Sequence, residues 1–265
     1  MPFQGVLFSD VHLAEGTTRL NELFAAFVQR VRGTPEIACL GDLSEYWIGR
    51  KHLQDAHGKW LFNHMRELAQ GARRAVWVAG NRDFLFDAQA RQAGWQVCRN
   101  QYRGEFCGLP VALEHGDRFC SLDKGYQRFR WWFRKVPWSW LGIVLSARRG
   151  HALARYFRGK SMGETARKQP SLFGIQPQPV QTHVAAGAGH VFCGHVHTPF
   201  ERNYDAAGRT GSLHVLGDWR PDGAVVAVVQ DGRPRLVRFD GDKFLDFEAP
   251  NEQKTFAPGE EAART

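Results

Sequence analysis

The sequence has few cysteines, and they are not spaced like a disulfide framework. The five are scattered and include no CxxC pair: Cys39, Cys98, Cys107, Cys120 and Cys193. Small secreted domains instead carry even, closely spaced sets. The sequence therefore predicts a protein of a reducing compartment, the cytoplasm.

Long apolar runs are also missing. The chain has no stretch of about 18 uninterrupted apolar residues, the length that a membrane-spanning helix needs. Residues 1–13 lack both the basic start and the long apolar run of a signal peptide. We therefore expect any association with a membrane to be peripheral.

Acidic residues are outnumbered. The 265 residues include 35 Lys and Arg against 27 Asp and Glu, a net charge of +8. This balance favours an anionic partner, which could be nucleic acid, a phosphorylated substrate or an acidic membrane surface. A generally basic soluble enzyme explains the charge about as well. The length favours one sizeable domain with an insertion.

Apolar runs alternate with amphipathic segments in the first 95 residues. Residues 5–9, 37–40 and 75–79 are typical of buried strands. Apolar side chains at helical spacing predict a helix from Thr17 or Thr18 to Val31, and residues 53–70 predict another. Such a βαβα pattern brings the carboxyl ends of parallel strands to one edge of a sheet.

After residue 95 the pattern becomes all-β. Residues 95–99, 101–106 and 110–115 suggest strands of a second sheet. Further strands are predicted at 189–193, 213–218, 223–229 and 234–239, with an Asp231-Gly232 turn between the last two.

Residues 124–168 fit neither sheet. They are helical in pattern, aromatic and basic, and contain no acidic residue before Glu164. We expect a helical cap inserted into one domain of residues 1–250, followed by a flexible tail at 251–265.

The composition of this insertion favours a lipid. Four tryptophans lie within ten residues, flanked by arginines and lysines: Trp131, Trp132, Trp138 and Trp140. Such a segment suits an anionic bilayer surface or a slot for acyl chains. Packing on the core is an alternative. Stacking of single-stranded nucleic acid is disfavoured by the apolar run LGIVL, so we expect no nucleic-acid partner.

Residues able to bind metal follow five of the predicted strands. The blocks are Asp10-Val-His12, Gly41-Asp42, Gly80-Asn81, His115-Gly116 and Gly194-His195-Val-His197. Two divalent cations need a bridging carboxylate and further ligands on each outer side. Each block alone is commonplace, but five in order, each at a strand end, predict a two-metal phosphoesterase.

This ordered set resembles the calcineurin-like metallophosphoesterases, whose signature is D-x-H, G-D, G-N-H-D/E, H and G-H-x-H. The resemblance implies a four-layer αββα sandwich, a mixed α/β and α+β fold. One metal would be held by Asp10, His12 and His197, the other by Asn81, His115 and His195, with Asp42 bridging both. Oxygen and imidazole ligands favour Mn²⁺, with Mg²⁺, Fe or Zn²⁺ as alternatives.

Arginine stands where many members of that family have the histidine of G-N-H-D. The chain reads Gly80-Asn81-Arg82-Asp83. Arginine stays protonated, so it cannot donate a proton to the leaving group, but it offers a planar fork to phosphate oxygens. We therefore expect a leaving group that departs unprotonated, such as a nucleoside monophosphate or a phosphosugar.

The run GNRDFL (80–85) resembles the UDP-2,3-diacylglucosamine hydrolases of lipid A synthesis. Further matches lie at 42–49, 115–117, 123–127 and 215–219. The resemblance implies pyrophosphate hydrolysis to UMP and 2,3-diacylglucosamine 1-phosphate (lipid X) at the cytoplasmic face of the inner membrane. A hydroxide shared by the two metals would attack the α-phosphorus.

That resemblance also assigns roles to residues. The catalytic set is Asp42, Asn81, Arg82, His115 and His195. The expected substrate contacts are Asn81, Arg82, Asp123, Tyr126, Ser161, Thr165, Lys168 and His195.

The chain departs from this family at Arg50-Lys51-His52, where several aspartates are common. The basic run keeps open another nucleotide, a phospholipid or a nucleic acid as substrate of the same chemistry. A non-catalytic scaffold on the same fold is disfavoured, because all seven ligand positions are filled.

Overall fold

The computed structural model describes residues 3–125, 127–128, 131, 150–152 and 174–248. Within them the strands form two sheets, one of eight strands and one of five. In the described residues no helix combines the length and the hydrophobicity that crossing a bilayer requires.

The larger sheet has a parallel half and an antiparallel half. Its parallel strands, which neighbour one another in this order, are β1 (Gly5–Phe8), β2 (Glu36–Cys39), β3 (Arg74–Val78) and β4 (Gln96–Cys98). The antiparallel strands on the other side of β1 are β11 (Gly223–Gln230), β12 (Arg233–Phe239) and β13 (Phe244–Asp246), and β10 (Trp219–Arg220) pairs with β11.

The smaller sheet has a parallel centre. Its order is β5-β6-β7-β9-β8, in which β6, β7 and β9 run parallel and the two outer strands antiparallel. The strands are β5 (Gln101–Phe106), β6 (Leu109–Glu114), β7 (His190–Cys193), β8 (Phe200–Ala206) and β9 (Arg209–Val215).

Three buried apolar clusters separate four layers. Phe24 and Phe27 of α1 (Thr18–Val31) pack against Phe8 on the outer face of the larger sheet. Leu7 and Phe192 belong to a cluster between the two sheets. The other α-helices whose bounds lie in the described residues are α2 (Ala56–Gly71) and α3 (Asp87–Gln92) on the larger sheet and α4 (Pro177–Ala185) on the smaller one. The predicted αββα sandwich is confirmed.

Two predictions need correction. Residues 95–99 were expected in the second sheet, but β4 pairs with β3 at the edge of the first. The reason is the short α3, which connects β3 to the parallel strand β4 before the chain changes sheet. The predicted helix at 53–70 begins at Ala56, because a 3₁₀ helix, Gly49–Gln54, precedes it.

Candidate metal centre

The two sheets place their functional side chains at adjoining edges. Asp10 and His12 follow β1, Asp42 follows β2, and Asn81 follows β3. From the smaller sheet, His115 follows β6, and His195 and His197 follow β7. The loops after β1 and β2 are joined by hydrogen bonds from Asp10 N to Gly41 O (3.1 Å) and from His12 N to Asp42 O (3.0 Å).

Five of the seven predicted ligands have a left-handed backbone. The φ angles are 53° for Asp10, 56° for His12, 52° for Asp42, 72° for His195 and 61° for His197. Such a conformation costs a non-glycine residue on the order of 1–3 kcal/mol and concentrates at functional sites. It takes the chain out of the strand pleat, so that both side chains of a D-x-H or H-x-H pair can turn to one place.

Two clusters of potential ligand atoms share Asp10. The first consists of Asp10, His12 and His197, and the second of Asp10, Asp42 and His115, each with one ligand atom per residue within 4.8 Å of the others. His197 Nε2 lies 3.5 Å from Asp10 Oδ1. His115 Nε2 lies 3.7 Å from Asp42 Oδ1.

Several buried atoms of these clusters have no hydrogen-bond partner. Within the described part of the chain they are Asp10 Oδ1, Asn81 Oδ1 and His115 Nε2. An unpaired buried polar atom costs about 1–3 kcal/mol. The ring of His115 is oriented by donation from Nδ1 to Leu40 O at 2.8 Å, which leaves the lone pair on Nε2. Carboxylate, amide and imidazole atoms left in this way fit divalent metal ions.

Asn81 and His195 are tied to the carboxylates through their backbones. Asn81 N donates to Asp42 Oδ1 at 2.8 Å, and His195 N donates to Asp10 Oδ2 at 2.9 Å. The rings of His195 and His115 meet edge to face with centroids 5.1 Å apart. All seven predicted metal ligands therefore lie at one place.

Arg82 lies among these residues. Its Nε is 3.2 Å from Asp42 Oδ2, and its Nη1 lies 3.0 Å from Glu45 Oε1 and donates to His12 Nδ1 at 2.8 Å. Among the described residues these contacts use Nε and Nη1, which leaves Nη2 for a phosphate oxygen.

The backbone around Asp42 is unusually close-packed. A Cβ on Gly80 would overlap Asp42 Oδ1 and Asp42 N, and one on Gly41 would overlap Gly80 N. Gly41 also has φ +87°. Glycine at both positions lets the loops after β2 and β3 touch.

Asp83 is the residue that sequence reasoning gave no role. Its buried carboxylate accepts N–H groups from Leu43 (2.6 Å), Asp42 (3.2 Å) and Gly80 (3.3 Å), so it joins the loops after β2 and β3. Burial, with the charge of Asp42 adding to it, raises the pKa of Asp83 to about 7. Its place in the G-N-R-D run was the available signal.

The pKa values of the histidines that face the clusters are shifted in different directions. Burial lowers the pKa of His12 and of His195 to about 4, so both rings are neutral at pH 7 and can bind metal. Burial would also lower the pKa of His197, but its contact with the Asp10 carboxylate raises it overall. For Asp10, burial acts to raise the pKa, and the contact with His197 and nearby histidine charges bring it well below its usual value.

The predicted substrate contacts are only partly described. Asp123 is buried in the turn that follows the His115 block. Tyr126, Ser161, Thr165 and Lys168 lie outside the described residues, as do most of the insertion at 124–168 and the tail at 251–265.

No family model matches the chain, but it is similar in sequence to several proteins named UDP-2,3-diacylglucosamine hydrolase. The chain is 32% identical over 231 residues to the UDP-2,3-diacylglucosamine hydrolase of Pseudomonas aeruginosa (strain PAO1), covering 86% of this chain and 96% of that protein. It is 33% identical over 230 residues to the protein of that name from Azotobacter vinelandii, covering 86% and 95%. A dimetal phosphatase from Danio rerio is structurally similar over 91% of this chain and 97% of its own, with 12% identity and a TM-score of 0.47.

Proposed function

The chain belongs to the UDP-2,3-diacylglucosamine hydrolase family, and from this premise we propose that it hydrolyses the pyrophosphate bond of UDP-2,3-diacylglucosamine. The products are UMP and 2,3-diacylglucosamine 1-phosphate. This is a metal-dependent step of lipid A biosynthesis.

The proposal rests mainly on the metal centre at the strand ends. Two clusters of ligand atoms share Asp10, and buried oxygens of Asp10 and Asn81 have no partner in the described residues. Relatives that bear the hydrolase name match 86% of the chain. A scaffold that had lost catalysis would have no reason to keep strained, unpaired ligands.

The residues would hold two divalent ions, for which we take Mn²⁺. Asp10, His12 and His197 serve one, Asn81, His115 and His195 the other, and Asp42 both. Ions held there lower the pKa of a water and neutralise charge that develops on phosphate.

The chain's own side chains orient the substrate. Arg82 is held by Asp42 and Glu45, and its free Nη2 binds a pyrophosphate oxygen. The neutral ring of His195 lies against His115, where it can contact the same group. Since neither Arg82 nor a neutral His195 brings a proton for the leaving group, a phosphosugar that departs as an anion suits the site.

The lipid part of the substrate is assigned to the insertion. Residues 124–168 combine tryptophans with basic side chains and carry no acid before Glu164, a composition that suits acyl chains and an anionic bilayer. We place the protein on the cytoplasmic face of the inner membrane, attached peripherally. Tyr126, Ser161, Thr165, Lys168 and Asp123 remain proposed substrate contacts.

The test compares three substrates in the presence of Mn²⁺. They are UDP-2,3-diacylglucosamine, UDP-N-acetylglucosamine and bis-p-nitrophenyl phosphate. We expect kcat/KM for the acylated substrate to exceed the other two by about 10²-fold or more, because binding energy from the acyl chains adds to transition-state stabilisation. Equal turnover of all three would contradict the proposal of a lipid substrate. Turnover of bis-p-nitrophenyl phosphate alone would show that the protein is a phosphoesterase that acts on another substrate.

A further inference from the structure

A second group of side chains with metal-ligand chemistry lies away from the strand-end clusters. One ligand atom each of His52, Asp55 and His151 lies within 4.8 Å of the other two. His52 belongs to the 3₁₀ helix Gly49–Gln54, and Asp55 is the residue that precedes α2. His151 comes from the described segment 150–152 of the insertion.

Within this group, the ring nitrogen of His151 is in direct contact with the Asp55 carboxylate. His151 Nε2 is 2.7 Å from Asp55 Oδ2, yet it is shielded from solvent and has no hydrogen-bond partner among the described residues. The ring centroids of His52 and His151 are 4.9 Å apart. His151 Nε2 and Asp55 Oδ2 are potential ligands of one cation, which would move them apart on binding, because ligands about 2.0 Å from a tetrahedral ion lie about 3.3 Å from each other.

Neighbouring aromatic residues hold the imidazoles in place. The ring of His52 stacks on Trp47, with centroids 4.2 Å apart and planes 12° from parallel. Tyr46 Oη lies 3.1 Å from His151 Nδ1, which orients that ring and leaves Nε2 as the ligand nitrogen. Rings fixed in this way lose little rotational freedom when a metal binds.

The donor set selects the kind of cation. Two imidazoles and one carboxylate are the three protein ligands of many zinc sites, in which water fills the fourth position. His52 is buried, and Ile48 N donates to its Nδ1 at 3.4 Å, a long contact that a metal ion could replace. A hard cation such as Mg²⁺ would instead need mostly oxygen ligands.

We propose that His52, Asp55 and His151 form a third metal site, for Zn²⁺ or a similar borderline cation. The site ties the insertion to the connection between β2 and α2. Gly150 already packs there, since a Cβ on it would lie 3.3 Å from Ile48 Cδ1. The same connection begins at the Asp42 loop, so the third ion would fix His151 to the segment that follows that loop.

The experiment counts metal in the folded protein. The wild-type protein and the variants His52→Gln and His151→Gln are stripped of metal, dialysed to equilibrium against Zn²⁺, and measured for zinc per chain by mass spectrometry. His64→Gln is the matched control, because His64 is a partly buried histidine of α2 that belongs to neither metal group. Circular dichroism confirms that each protein is folded.

The third site predicts that each of the two variants binds one zinc fewer than the wild type, while the control binds the same number. Zinc stoichiometry equal to the wild type in both variants would overturn the proposal and leave a metal-free His151–Asp55 pair. Because the readout is metal content, the result does not depend on the substrate proposed above.

Discussion

The two ends of β2 carry buried carboxylates in opposite surroundings. At the amino end, Glu36 pairs through Oε1 with Arg73, and its Oε2 is 3.4 Å from Arg74 Nη1 and accepts N–H from Cys107 at 2.9 Å. At the carboxyl end, Asp42 has φ 52° and a metal-ligand cluster beside it. Protein groups pair with both carboxylates, but beside Asp42 the buried atoms Asp10 Oδ1 and His115 Nε2 have no hydrogen-bond partner in the described part of the chain.

This difference separates stability from function along a single strand. Satisfied polar groups at the amino edge hold the sheets together at the turn between β5 and β6. Strained and unpaired groups at the carboxyl edge lower the stability of the metal-free protein. Metal binding at these groups is expected to raise its free energy of unfolding. Substitutions at the two ends should therefore affect different measurements.

The largest effect is expected for Asp42→Asn. Asparagine tolerates the left-handed backbone and can keep the Oδ1 contacts, but it lacks the charge that a bridging ligand needs. We expect kcat to fall by roughly 10²–10³-fold or more. Asp231→Asn is the matched control, since Asp231 has the same φ of 52° in the β11–β12 turn. Activity within tenfold of the control would contradict the role of Asp42.

A smaller effect is expected for Asp83→Asn. The side-chain NH₂ of asparagine would face one of the backbone N–H groups that now donate to Asp83. Because two donors cannot hydrogen-bond to each other, the Asp42 loop would shift. Groups that orient metal ligands contribute roughly 10–100-fold to metal affinity or activity. The Mn²⁺ concentration for half-maximal activity should rise accordingly, whereas Asp87→Asn, a buried aspartate that binds Arg99, should leave it unchanged. An unchanged Mn²⁺ requirement in Asp83→Asn would show that the loop does not depend on this carboxylate.

At the other end of β2, Glu36→Gln tests stability. The substitution removes the charge that binds both arginines, and Arg73 is largely exposed, so part of the interaction is screened. We expect a loss of about 1–3 kcal/mol in the free energy of unfolding, measured in urea, with kcat unchanged. A tenfold loss of kcat at full stability would mean that the two ends of β2 are not separate in function.

The smallest effect is expected in the pH dependence of stability, through His190 at the amino end of β7. Burial and the neighbouring His214 lower the pKa of His190 from 6.5 to about 4. The unfolded chain therefore binds more protons than the folded one between these values, so stability falls as pH falls from about 6.5 towards 4. His190 is about half-buried, and we expect His190→Gln to reduce this loss by less than about 1 kcal/mol. An identical pH dependence of stability in wild type and variant would show that His190 does not contribute to the loss of stability at low pH.

Much of the site could be predicted because the ends of the strands can be recognised in the sequence. Each ligand block follows an apolar run, and β1, β2, β3, β6 and β7 lie where those runs predicted strands. The order of the five blocks predicted that their loops meet at one site. Secondary-structure propensity alone does not predict which loops meet. The sharing of Asp10 by both clusters could not be read in advance, since it depends on side-chain directions set by the left-handed turns.

Other features depended on long-range contacts. The strand β4 is short, and only its hydrogen bonds to β3 assign it to the first sheet. His52 looked like an ordinary surface or structural residue, because Asp55 is nearby in sequence but His151 is separated from it by about a hundred residues. The helix α4 has Pro177 and Pro179 in its first turn and weak amphipathic spacing, so its apolar residues gave no clear signal.

The proposed function is tested most directly by hydrolysing UDP-2,3-diacylglucosamine in water enriched in ¹⁸O. Attack on the α-phosphorus predicts UMP and 2,3-diacylglucosamine 1-phosphate as products, with the label in UMP and with loss of turnover after metal removal. Label in the lipid phosphate would contradict attack at the α-phosphorus, and no turnover of this substrate with Mn²⁺ present would contradict the function itself.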